Sequence, residues 1–232
     1  MHYYYMDATY ILVLIGALLC MAASAGVKTT YNKYSKVRSM SGMTGAEVAA
    51  RILNQNCISD VSIANVSGDL TDNFDPRNKT VNLSDAVYGR SSVAAIAVAA
   101  HECGHVMQHE NGYLPLKIRS AILPAANIGS KAGVPIIILG IILGITPFAN
   151  LGILIFSLAV LFQFVTLPVE FDASKRALVM LEEYGILAHE EIDGSRKVLR
   201  AAALTYVASA ASAVLQLLRF VILANGNNRR RD

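Results

Sequence analysis

Charge is scarce in this chain: 16% of its 232 residues are Asp, Glu, Lys or Arg, 54% are hydrophobic, and the mean hydropathy is +0.44. An ordinary soluble domain carries about 25% charged residues, so the balance excludes that class and points to a membrane protein. Cysteine is scarce too. Cys20, Cys57 and Cys103 are too few, and odd in number, for a disulfide framework, so nothing demands an oxidising compartment. The net charge is only +3, and the basic residues are not interleaved with aromatics along one face, which leaves no basis for nucleic-acid binding. Internal repeats are absent, and low complexity is confined to the tail NGNNRRRD.

What the chain has in quantity is uninterrupted apolar sequence. Residues 8 to 27, ATYILVLIGALLCMAASAGV, carry no charge and are long enough to cross a hydrocarbon core of about 30 Å. Ala23-Ser24-Ala25 imitates a signal-peptide cleavage site, but the first seven residues contain no Lys or Arg, while Lys28, Lys33, Lys36 and Arg38 follow the run. The segment therefore reads as a retained anchor, with Tyr3, Tyr4, Tyr5 and Tyr10 as an interfacial belt on the outer side and His2 a terminal residue without a role. Residues 121 to 145 and 148 to 167 are two further runs joined at Thr146-Pro147, the pattern of a membrane hairpin. Lys131 within it either marks where the lipid core begins or snorkels. A last run, 201 to 224, is transmembrane or interfacial.

Between the anchor and the hairpin the character changes. MTGAEVAARILNQN reads as an amphipathic helix opened by a Thr44/Glu47 capping box, and VSIANV and TVNLS read as strands separated by the turn-forming DNFDPRNK. A second helix, SSVAAIAVAAHECGHVMQHE, has only eight apolar residues before His101, too few to span a bilayer. The expected architecture is a mainly α membrane protein with about four transmembrane helices and a small α+β zincin-like unit. Its parts are an anchor at 8–27, the zincin-like unit at 39–115, the hairpin at 121–167, a helical segment at 168–200 and the last apolar helix at 201–224.

Within the second helix, His101, Glu102 and His105 form the pattern HExxH. With five His and eight Glu in the chain, chance would produce such a match in roughly 0.4% of sequences of this composition. Residues four apart on a helix lie one above the other, so both imidazoles can reach one metal ion with Glu102 beside them as a proton acceptor. Gly104, between the two His, weakens the helix by about 1 kcal/mol relative to Ala and implies that something packs close there. Cys103 lies about 200° round from His101 and belongs to the core. Asp72 and Asp75 suit turns, Glu182, Glu183, Glu190 and Glu191 suit solvated helix faces, and His189 a surface position. TVNLS, residues 80 to 84, is either a strand that pairs with an extended substrate or one that only covers the helix.

A catalytic zinc needs three protein ligands and an open fourth position. His109, Glu110, Glu170, Asp172, His189, Glu190 and Glu191 are the candidates for the third. Three ligands on one straight helix would lie along a line about 12 Å long, which disfavours His109. Glu170 is the first polar residue after the hairpin, at the expected start of a new helix.

AAHECGHVMQH, preceded by LTDNFDPRNKTVNLSDAVYGRSSVAAIAVAA and followed by LPVEFDASKRAL, resembles the YugP family of membrane zinc metallopeptidases over nearly the whole chain, from about Met1 to Leu223. More distantly it is similar to the HtpX and CAAX-processing membrane proteases, whose third ligand is the Glu of Glu-aromatic-x-Ala-Asp. Glu170, Phe171 and Ala173 match that segment; Ser174 stands where those relatives carry Asp. The resemblance implies Zn2+ held by His101, His105 and Glu170, with Glu102 as general base. It also implies an endopeptidase facing the cytoplasm, whose partners are the lipid bilayer and protein or peptide substrates. The alternative function is a non-catalytic, zinc-holding membrane scaffold or adaptor. Basic residues at 28–38, Lys117, Arg119, Lys175, Arg176, Arg196, Lys197 and Arg200 share the cytoplasmic side under the positive-inside rule; Arg229, Arg230 and Arg231 are discordant with it.

Overall fold

A computed structural model describes residues 8–228. The expectations for His2, Tyr3, Tyr4, Tyr5, Arg229, Arg230 and Arg231 lie outside the described residues. Among the described residues, six helices and three short strands follow in the order α1 (Tyr10–Tyr34), α2 (Gly45–Gln55), β1 (Ser62–Val66), β2 (Asn73–Asp75), β3 (Thr80–Ser84), α3 (Val93–Glu110), α4 (Leu114–Leu143), α5 (Thr146–Glu183) and α6 (His189–Asn228). Of these, α1, α4, α5 and α6 are long and apolar enough to cross a membrane. The chain is an integral membrane protein of mainly α class with a small α+β part.

The chain divides into two compact units, one made from residues up to Ala23, Lys117–Leu167 and the residues from Thr205 on, the other from Ser24–Leu116 and Pro168–Leu204. In the first unit, Ile11, Leu14 and Leu18 of α1 are more than half exposed, a cost in water that vanishes against lipid. α4 and α5 are joined by a turn at Gly144, φ +67°, a conformation that favours glycine. Thr146 and Pro147, expected in the turn, open α5 instead, where a proline's missing N–H is no loss. Near the turn the helices approach so closely that a Cβ on Gly140 would collide with the backbone of Ala149. Ile137, Phe156, Val160 and Phe220 form this unit's buried cluster, with the Phe156 and Phe220 rings edge to face at 5.5 Å.

The second unit holds the larger core. Thr44 caps α2 and both halves of the capping box form: the Glu47 N–H donates to Thr44 Oγ1, and the Thr44 N–H donates to the Glu47 carboxylate at 2.7 Å. Ser92 caps α3 through the N–H of Ala95. The Ala-rich first half of α3 is almost wholly buried, lying with Val48 and Ile52 of α2 and Val81 and Leu83 of β3 in one apolar cluster. The sheet order is β1-β3-β2, with β1 parallel to β3 and β2 antiparallel to it.

Three further expectations need correction. DNFDPRNK is not turn throughout: Asn73–Asp75 forms β2, and the turn is the part that follows, where Asp75 accepts from the Arg77 N–H and the Asn78 side chain. β3, offered as a strand for substrate pairing, is central, and both of its edges are filled by β1 and β2. The 168–200 segment is not a separate helix. Pro168 removes one backbone donor but the helical run continues across it, so Glu170 lies inside α5, and Glu183 and His189 mark the break between α5 and α6.

Candidate metal centre

Three side chains of the second unit converge. His101 and His105 lie one turn apart on α3, their rings 4.8 Å apart and nearly perpendicular, and Glu170 faces them from α5. Glu170 Oε2 is 3.4 Å from His101 Nε2 and 3.7 Å from His105 Nε2, and one ligand atom from each of the three lies within 4.8 Å of the others. The closeness depends on Gly104. A Cβ at that position would stand 2.5 Å from the carbonyl oxygen of Ala173, so only glycine lets α3 and α5 approach this far. That contact explains a glycine in the middle of a helix that would otherwise favour alanine.

The outer nitrogens of both imidazoles are occupied. Ser174 Oγ lies 3.2 Å from His101 Nδ1, and Gln108 Oε1 lies 3.0 Å from His105 Nδ1. Ser174 therefore does meet His101 in spite of departing from the relatives' Asp, with a shorter and uncharged side chain. Sequence reasoning missed Gln108. Its signal was position: three residues after His105, it lies on the same helix face.

Glu102 is buried, with 6% of its surface exposed. Burial pushes its carboxyl above the usual carboxylate range, opposed by the neighbouring His101 and His105. Burial would lower the pKa of His105, but the Glu170 carboxylate and the Glu102 charge outweigh it and raise the value. Asp72 is likewise raised by burial; its carboxylate accepts from the N–H and hydroxyl of Ser84 at the end of β3.

The remaining candidates have other surroundings. The His109 ring meets Phe74 at 5.8 Å, and Glu110 is exposed. Asp172 pairs with Arg176 at 2.6 Å. His189 is exposed beside Glu182, and Glu190 is exposed. Glu191, expected on a solvated face, accepts from the N–H groups of Met40 and Ala188 and so ties the start of α6 to an upstream loop. Cys103 is fully buried, its thiol 3.9 Å from the Ala49 carbonyl and pushed up in pKa by burial.

The family model described as "Putative neutral zinc metallopeptidase" matches residues 9–225. The chain belongs to that family. It is 46% identical over 221 residues to "Putative membrane protease YugP" of Bacillus subtilis (strain 168), covering 94% of this chain and 98% of that one. No solved structure matches the chain. The donors suit the metal of a zinc metallopeptidase family. Tetrahedral ligands at about 2.0–2.1 Å from zinc stand roughly 3.3 Å apart. The two His–Glu separations of 3.4 and 3.7 Å are close to that spacing, and two imidazoles with one carboxylate are a known catalytic zinc set that leaves a position open.

Proposed function

We propose that this protein is a membrane-bound zinc metalloendopeptidase whose site faces the cytoplasm and cleaves membrane or membrane-proximal proteins. The observation that carries the reading is the approach of Glu170 to both imidazole Nε2 atoms, which joins two distant segments of the chain into one three-ligand set. His101, His105 and Glu170 hold the ion, and Glu102 is the base. The cytoplasmic side is supported by the basic residues at 28–38, 117–119, 175–176 and 196–200.

Zinc, when bound, supplies Lewis acidity, which polarises a carbonyl oxygen and makes water a stronger acid. The chain's own contribution to proton transfer is Glu102. Its carboxylate accepts a proton as the water oxygen bonds to the peptide carbon, and returns that proton to the amine nitrogen as the C–N bond breaks. A pKa raised by burial suits both halves of that cycle, because a carboxylate too acidic would accept the proton poorly. A buried carboxylate beside the two His is of no use to a zinc-holding scaffold, and its presence favours the enzyme.

The test is Glu102→Gln in the full-length protein. Zinc content measured by elemental analysis should equal that of wild type, while cleavage of an unfolded protein substrate falls by about 10²–10⁴-fold. A variant that cleaves as wild type does contradicts the mechanism.

A further inference from the structure

We infer that Gln108 is a positioning residue for the metal: it fixes the His105 ring with its proton on Nδ1, and is itself held in place by Asp172. The inference rests on the reading that His101, His105 and Glu170 bind zinc.

The Gln108 side chain has no exposed surface. Burying an amide is unfavourable unless its polar atoms are paired, and here both ends are. The Nε2 group donates to the Val169 carbonyl at 2.7 Å and to Asp172 Oδ2 at 2.9 Å. Carbonyl and carboxylate oxygens only accept, so the end of the amide that faces them must be the NH2, and the orientation is decided by the network. Oε1 then faces His105 Nδ1 at 3.0 Å. Because Oε1 can only accept, Nδ1 must carry hydrogen. In the neutral imidazole that leaves the lone pair on Nε2, the nitrogen turned toward Glu170.

The connections also tie the two ligand helices together. Gln108 is three residues beyond His105 on α3, and its partners Val169 and Asp172 lie on either side of Glu170 on α5. Asp172 accepts from Arg176 Nε at 2.6 Å, and the Arg176 guanidinium lies over the Tyr113 ring at 5.6 Å. Asp172 is thus restrained from its far side. His101 has no equivalent arrangement: a serine hydroxyl can donate or accept, so Ser174 orients that ring without dictating its tautomer.

The experiment compares full-length wild type with Gln108→Met, Asp172→Leu and Asp172→Asn, all in detergent. Zinc affinity is read by chelator competition, ligand geometry by the visible spectrum after Co2+ substitution, and folding by thermal unfolding of the metal-free forms. Gln108→Met should bind zinc about 10–100-fold more weakly and shift the Co2+ bands, while its metal-free form still unfolds in a cooperative transition, at a lower temperature than metal-free wild type because the buried partners of Gln108 are left unpaired. Asp172→Leu should lose affinity, and Asp172→Asn should lose less because its amide oxygen still accepts from Gln108. Gln108→Met binding within threefold of wild type with an unshifted spectrum overturns the inference, as does Asp172→Leu binding zinc as tightly as wild type. Should Gln108→Met not fold, imidazole ¹⁵N NMR of zinc-loaded wild type decides: protonated Nδ1 of His105 supports the inference, and Nδ1 without hydrogen overturns it. Wild type that takes up no zinc at these three ligands would overturn the underlying reading as well, an outcome distinct from those at Gln108 alone.

Discussion

The helix that carries His101 and His105 and the helix that carries Glu170 are built differently. α3 has 18 residues, 13 of them buried, and lies in the main core of its unit; α5 has 38 residues and leaves Phe164, Phe171 and Val179 between 41% and 48% exposed. The two imidazoles and the Glu102 carboxylate come as a fixed local set, because moving α3 would mean repacking Ala94, Ala97, Val106 and their neighbours. The place of Glu170 beside them depends on how α5 is held against α3. Gly104 against Ala173, and Gln108 against Val169 and Asp172, are the contacts that hold it. Metal binding should therefore be most sensitive where the two helices touch.

The largest effect that separates the two helices comes from Gly104→Val. No part of the new side chain reaches a ligand, yet its Cβ would meet the Ala173 backbone and force α5 away. We expect zinc to be lost in elemental analysis, together with about 1–3 kcal/mol of stability from overpacking, seen as a lower melting temperature. Full zinc occupancy in that variant would show that the contact does not set the site. A smaller effect comes from Ser174→Ala, which removes the partner of His101 and should weaken zinc binding about tenfold in chelator competition. Ser174→Asp should bind at least as tightly as wild type, and equal affinity in all three proteins would rule out a role for that hydroxyl.

The smallest effect lies away from both ligand helices. Thr44→Ala removes the α2 cap and should lower stability by about 1 kcal/mol while zinc affinity stays as in wild type. The sign of its pH dependence follows from Glu47, whose pKa is lowered by the backbone N–H and hydroxyl of Thr44. A carboxylate with a depressed folded pKa stabilises the fold above its unfolded value, about 4.3, and the contribution is lost as pH falls through the folded value. Thr44→Ala keeps the backbone N–H that has the larger effect on Glu47 and loses the hydroxyl's share, so its melting difference from wild type should narrow slightly in acid. A gap that stays constant from neutral pH to pH 3 would remove the hydroxyl's effect on Glu47 from the account.

The same contrast explains what could be read from the sequence. His101, Glu102 and His105 were legible because a helix converts a spacing of four into one face, and the α2 cap because its two residues are local. The apolar spans were legible from length, though their ends were not: hydropathy marks where lipid contact stops, whereas α5 and α6 continue as helices into the second unit. Glu170 stands out by its position as the first polar residue after the hairpin, and the resemblance adds the ligand role; its distance from the two His could not be read, because it is set by the packing of α5 on α3. β2 was hidden because Asp75-Pro76 is strong turn chemistry immediately after a three-residue strand whose pairing with β3 is set by tertiary contact. Gln108 is local to His105 by spacing, but its bonds to Val169 and Asp172 cross the α3–α5 contact, as does the meeting of Ser174 with His101, and no spacing encodes those.

The most direct test of the central claim, that α5 completes a metal site begun on α3, is the zinc content of full-length wild type beside Glu170→Ala. One zinc per chain in wild type, falling to near zero in a variant that remains folded, is the predicted result. Undiminished zinc in Glu170→Ala, or none in wild type after loading, would contradict it.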